Sequence, residues 1–108
     1  MPKRHIFGLK NEILPLIENG RKLLEIRVAD TKRKKVRIGD DILFCQKVLK
    51  RVVRIRSYRT FIEMLKYEPL EQIMPDLTKQ EILMGLQKIY TPEQEALGVL
   101  VSQLRVDI

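Results

Sequence analysis

Gly20-Arg21-Lys22-Leu23-Leu24-Glu25-Ile26-Arg27 is the stretch on which the reading of this chain turns. From Lys22 onward, Leu24, Ile26 and Val28 alternate with Leu23, Glu25 and Arg27, the period of two that marks a half-buried strand. Glu25 and Arg27, two positions apart, share one face of that strand. Lys22, at the turn that follows Gly20, is free to lean over the same face. A cation–anion–cation group at a sheet end can bind a phosphate or a base edge, with the carboxylate orienting the arginine. The same residues also suit a surface ion pair worth ~0.2–1 kcal/mol and no more.

Working outward, residues 3–9 form a short first strand, and residues 11–19 suggest a short helix closed by Gly20, where a left-handed conformation is cheap. Pro15 keeps that helix short by removing a backbone donor from its second turn. On the other side comes a basic run, Lys32-Arg33-Lys34-Lys35, then Val36-Arg37-Ile38 and a turn at Gly39-Asp40. Ile42-Leu43-Phe44-Cys45 reads as a buried strand. Residues 50–59 make another, Val53 and Ile55 pointing one way while Arg54, Arg56 and Tyr58 point the other. Three such segments joined by short turns imply a strongly curved sheet or small barrel.

The last third changes to helical spacing. Thr60 with Glu63, and Thr78 with Glu81, are capping boxes, each opening a helix. The first runs through Met64 and Leu65 and stops at Pro69. The second places Ile82, Leu83, Leu86, Ile89 and Tyr90 on one face. Thr91-Pro92 starts a further turn, with proline where its missing donor costs nothing. Gly98 ends it, and residues 99–106 return to strand with Leu100, Leu104 and Val106 on one face. The order β-α-β-β-β-α-α-β describes an α+β domain whose last strand rejoins the sheet.

At 108 residues the chain has the size of one domain, 1–108, with 44% hydrophobic and 32% charged residues, a globular balance. No segment reaches the ~18 apolar residues of a spanning helix, and no apolar stretch follows the charged N-terminus as in a secretory signal. One cysteine, Cys45, and one histidine, His5, leave no ligand set for a zinc or iron–sulfur site and no internal disulfide. The expectation is a cytoplasmic protein with no cofactor, no metal and no membrane contact. Charge is unevenly placed: residues 1–60 hold 17 Lys/Arg against 6 Asp/Glu, and residues 61–108 hold 4 against 8. Net charge is +7 and the isoelectric point about 9.8, the electrostatic footprint of a polyanion binder or an ordinary soluble surface.

The spacing G-x-K-x-x-E-x-R resembles the signature of the ASCH domain, a small module related to the PUA RNA-binding fold. Asp30 through Arg37 and Ile38-Gly39-Asp40 resemble that family's basic loop and I/V-G-D turn. Ser57-Tyr58-Arg59-Thr60-Phe61 is similar to its junction between central strand and helix. Ile89-Tyr90-Thr91-Pro92-Glu93-Gln94-Glu95, with Gly98-Val99-Leu100, resembles its closing turn and last strand. The resemblance spans about residues 4–106 and implies a PUA-like small mixed β-barrel flanked by short helices, associated chiefly with RNA. Some relatives are amidohydrolases that deacylate a modified cytidine with a Lys and a Thr in this strand and a Glu elsewhere. Lys22 matches that Lys, but Glu25 stands at the Thr position, where a carboxylate cannot replace the hydroxyl nucleophile without changing the mechanism, though it can act as a general base for water.

Three function classes follow. In the first, a binding module, Arg33, Lys34, Lys35, Arg54 and Arg56 grip phosphates of RNA or a nucleotide. Lys22, Glu25 and Arg27 then line a cleft in which Tyr90 stacks on a base. In the second, an enzyme for a modified nucleoside or RNA, Lys22 and Glu25 are the catalytic candidates. In the third, a regulatory domain, the partner is another protein. Tyr90 equally suits a core position, Cys45 reads as a small core residue, and Met64, Met74 and Met84 as core filler.

Overall fold

The computed structural model describes residues 2–106. Five strands, β1 (Arg4–Phe7), β2 (Leu24–Val28), β3 (Asp41–Phe44), β4 (Val48–Tyr58) and β5 (Val99–Leu104), form one sheet in the order β1-β3-β4-β5-β2. β1 and β3 are parallel, and every other pair is antiparallel. Five helices, α1 (Leu14–Glu18), α2 (Phe61–Tyr67), α3 (Leu70–Ile73), α4 (Lys79–Ile89) and α5 (Pro92–Glu95), flank it, and Arg33–Lys35 make a single 3-10 turn. The molecule is an α+β half-barrel with short helices around it.

β4 makes the curvature. Its first part pairs with β3 and its second with β5, and the register slips between Val52 and Arg54. A bulge of this kind bends the strand and raises its twist. Two apolar clusters form on the two sides of the bend. One gathers Phe7, Ile17, Ile42, Phe44, Val52 and Leu104. The other packs Leu24, Ile26 and Val28 of β2 against Phe61, Met64 and Ile82 of the helices.

Several local expectations change. Val53 falls in the bulge and is exposed, because the extra residue reverses which side chains face inward. β2 and β3 are not joined by a short turn, since residues 29–40 separate them; β2 pairs with β5, which brings the last strand against the first third of the chain. In β5 the buried residues are Val99, Val101, Ser102 and Leu104, while Leu100 is half-buried and Val106, beyond the strand, is exposed. β3 buries only Ile42 and Phe44, so it alternates. Cys45 lies in the β3–β4 turn with φ +52, next to Gln46 at φ +57, and is partly exposed. Within the three-residue loop 45–47, the turn closed by Lys47 N donating to Phe44 O at 2.9 Å has positive φ at both central residues, and neither is glycine. Pro15 sits in the first turn of α1, where its absent donor is harmless. Met84 is exposed rather than core, and so is Ile89 on the supposed apolar face.

The helix starts hold as read at α4 and α5, where both halves of each capping box form. At α2 only half forms: Thr60 Oγ1 accepts from Glu63 N at 3.0 Å, but Glu63 Oε1 takes Arg59 N instead. Glu95 of α5 supplies the acceptor for Phe61 N at 2.8 Å, which ties the two helices together.

Candidate functional site

β1 and β2 are the two ends of the strand order, and the opening between them holds the candidate site. A cleft of about 530 Å³ lies there, with Lys22, Glu25 and Arg27 on one wall and the Gly8–Lys10 segment opposite. Ile73, Met74, Ile82 and Leu86 of the helical layer make its apolar side, and Tyr90 closes one end.

Lys22 is held from several directions. Its N–H donates to Leu16 O and that of Leu23 to Gln72 O, both at 2.9 Å, so the residue is pinned between α1 and α3. Its side chain is buried, and Nζ donates to Leu24 O and Ile73 O, each at 2.7 Å. An ammonium has three N–H groups, so one remains for the cleft. Burial pushes the Lys22 pKa below the ordinary lysine value; Glu25 pulls it back up and Arg27 presses it down.

Glu25 is 4% exposed, and its two oxygens differ. Oε1 accepts from Arg27 Nε at 2.9 Å. Oε2 is buried and has no hydrogen-bond partner among the described residues. A buried carboxylate oxygen without a donor is costly, on the order of 1–3 kcal/mol or more, and nearly all such atoms in proteins have partners. Arg27 crosses the opening: its Nη2 donates to Gly8 O at 2.7 Å, and its guanidinium lies 4.8 Å from the centre of the Phe7 ring. The arginine therefore joins the β2 edge to the chain leaving β1, using two of its five donors.

Tyr90 is half-buried, with its ring 5.8 Å from that of Phe61. Burial raises its pKa, Arg27 lowers it and Glu25 raises it, so the phenol stays neutral beside the charged wall. Arg33 stands just beyond, its guanidinium 5.1 Å from the Phe7 ring and bonded to Asp30 at 3.1 Å. Its Nε is a second buried polar atom with no partner among the described residues.

The structure thus brings Lys22, Glu25, Arg27 and Tyr90 to one cleft and sets Arg33 near it. Lys34 and Lys35 point elsewhere, into a separate concavity with Lys3 and Arg37. Arg54 is exposed on β4 and does not line the cleft. Arg56 is tied to Glu68 by two bonds of 2.6 and 2.8 Å and to Gln103 at 2.9 Å, and Tyr58 donates its hydroxyl to the same carboxylate. That cluster anchors β4 to the end of α2. Phe7, the Gly8 and Ile73 carbonyls and the α4 wall carry no motif. For these the sequence offers only the aromatic in the first strand and the apolar face of α4, whose spacing sets Ile82, Leu86 and Tyr90 together.

The ASCH domain family profile matches residues 7–105. No curated protein matches the chain. Among solved structures, the crystal structure of hypothetical protein PH0355 is 33% identical with a TM-score of 0.88, covering 95% of this chain and 97% of that one. The solution NMR structure of protein PF0455 from Pyrococcus furiosus is 34% identical with a TM-score of 0.80, covering 94% and 96%. The ZmASCH mutant protein from Zymomonas mobilis shares the fold, with a TM-score of 0.66 at 14% identity over 98% of this chain and 71% of that one. With the profile spanning nearly the whole chain and relatives a third identical along their full length, the protein belongs to the ASCH domain family.

Proposed function

We propose that this protein is an RNA-binding module in which the cleft between β1 and β2 takes one nucleobase. The ASCH domain is a PUA-like fold generally associated with RNA. The observation that carries the reading is the unpartnered Oε2 of Glu25, buried in the wall beside the Lys22 amine. Every nucleobase edge that pairs offers an N–H donor next to a carbonyl or ring-nitrogen acceptor. The donor satisfies Oε2, and the acceptor takes the third N–H of Lys22. The base lies along the apolar side and against Tyr90, where stacking adds ~1–3 kcal/mol. The unused N–H groups of Arg27 remain for a phosphate or ribose oxygen. The cytoplasm is the proposed location, since a lone thiol suits a reducing compartment.

Titration of the 15N-labelled protein with nucleoside monophosphates and a short single-stranded RNA tests this. Amide shifts are expected at Gly8, at Lys22 through Arg27 and at Tyr90. Saturating ligand without shifts there refutes the reading.

One observation favours a second reading, hydrolysis of an acylated nucleoside: a lysine made less basic by burial stands near a carboxylate with a free oxygen. Glu25 Oε2 can take a proton from water as it attacks the acyl carbon, while Lys22 donates to the developing oxyanion; when that intermediate collapses the acyl C–N bond breaks and Glu25 returns the proton to the leaving amine. A hydroxyl nucleophile is absent from that strand position, which ranks this reading second. A chromatographic time course with N4-acetylcytidine decides it. Turnover abolished in Lys22→Ala establishes the enzyme, and no turnover removes it for that substrate.

A further inference from the structure

Lys3, Lys34, Lys35 and Arg37 are exposed and border an open concavity of about 640 Å³ that does not share a lining residue with the cleft. None of the four side chains has a hydrogen-bond or ion-pair partner among the described residues, and all four border the same concavity. Four like charges gathered on one rim repel one another, and an anion relieves that repulsion.

The carboxylates nearby do not neutralise them; they position them. Asp40 also borders the concavity, but it is buried and its oxygens face the backbone. Oδ1 accepts from Lys3 N at 3.0 Å, and Oδ2 accepts from Arg37 N at 2.9 Å and meets His5 Nε2 at 2.8 Å. One buried side chain therefore staples two cation-bearing residues to the same rim. Asp30 does the same for the 3-10 turn, accepting from Arg33 N at 2.8 Å while its carbonyl accepts from Lys34 N at 3.0 Å. The backbone carrying these cations is fixed before any ligand arrives.

We propose that this concavity is a second site, for backbone phosphates of the same RNA strand whose base enters the cleft. This rests on the reading of the cleft given above. The 3-10 turn lies between the two sites, since Arg33 sits over the Phe7 ring and near enough to Tyr90 to act on its phenol, while Lys34 and Lys35 border the concavity. A strand with one base in the cleft passes the partly exposed Arg33 side chain on its way to the lysines.

The experiment compares a nucleoside monophosphate, read by amide shifts in the cleft, with a labelled single-stranded RNA of about ten nucleotides, read by anisotropy across salt. In the triple variant Lys34→Ala, Lys35→Ala, Arg37→Ala, mononucleotide affinity should stay within about twofold. RNA affinity should fall at least about tenfold at low salt, and the log–log salt slope should drop by about two units, ~0.7 per lost cation. A control with the same charge loss, Lys66→Ala, Lys79→Ala, Lys88→Ala, should keep the slope. An unchanged slope in the first variant, or an equal drop in the control, overturns the proposal. RNA binding that loses its slope as described, with no mononucleotide in the cleft, refutes the cleft reading and keeps the phosphate site as an independent one.

Discussion

Replacing Glu25 by glutamine takes one charge out of the cleft and leaves its shape unchanged. The amide oxygen can still accept from Arg27 Nε, as Oε1 now does at 2.9 Å. The amide nitrogen then occupies the place of Oε2, turning a vacant acceptor into a donor. A ligand N–H that bonded the carboxylate loses a charge-assisted bond of about 1.5–3 kcal/mol and meets another donor. The loss is at least about 1.4 kcal/mol, which is tenfold in affinity, and the donor clash extends it toward a hundredfold. Arg27 keeps the Gly8 carbonyl and the Phe7 ring, so the fold should lose only about 1–2 kcal/mol. The lysine provides an independent readout. Glu25 is what holds the Lys22 pKa up against burial, so in Glu25→Gln that pKa must move further down. Calorimetry with the tightest-binding mononucleotide measures the first effect, and an NMR pH titration of the Lys22 side chain the second. Affinity within twofold of the parent, together with an unmoved Lys22 titration, refutes the reasoning.

Arg56→Ala should cost about 2–4 kcal/mol in urea unfolding, because Glu68 is left buried with only Tyr58 as its partner, and should not alter mononucleotide binding. Asp40, held down at about 2 by its bond to His5 and by the Lys3 and Arg37 amides, contributes stability that is complete above its ordinary value of 3.8 and is lost as pH falls toward 2. Asp40→Asn should therefore be less stable than the parent by about 1–3 kcal/mol at pH 7, and the gap should narrow through that acid window in chemical unfolding. Lys22 gives a slope of the same sign but from a penalty, since burial disfavours its charged form and the cost disappears as the amine loses its proton. Its pKa is lower folded than unfolded, so the unfolded chain binds more protons between the two values and stability from this group rises with pH up to about 10. Lys22→Met should flatten that rise in unfolding measured from neutral to mildly alkaline pH.

The strand with Glu25 and Arg27 on one face was legible because a period of two needs only local spacing. The start of α4 was legible for the same reason, since a capping box spans four residues, and that of α5 from the adjacent pair Thr91-Pro92. The pairing of β2 with β5 was not, because it joins residues more than seventy apart and leaves no local trace. The bulge in β4 was equally hidden: Val52 and Val53 are identical residues, and only the partner strand decides which one faces inward. The basic run shows the limit most clearly. Read as a line, Arg33, Lys34 and Lys35 form one patch. Folded as a 3-10 turn, with about three residues per revolution, neighbours diverge, and the first lies over the Phe7 ring while the next two border the concavity. The cleft itself is made half of motif residues and half of carbonyls and apolar side chains, which any sequence contains.

The most direct test is a crystal structure of the protein with a nucleoside monophosphate or short RNA bound. The account predicts a single base between β1 and β2, with one of its N–H groups about 3 Å from Glu25 Oε2 and an acceptor at Lys22 Nζ. A base bound elsewhere, with Oε2 of Glu25 still unpartnered, contradicts it.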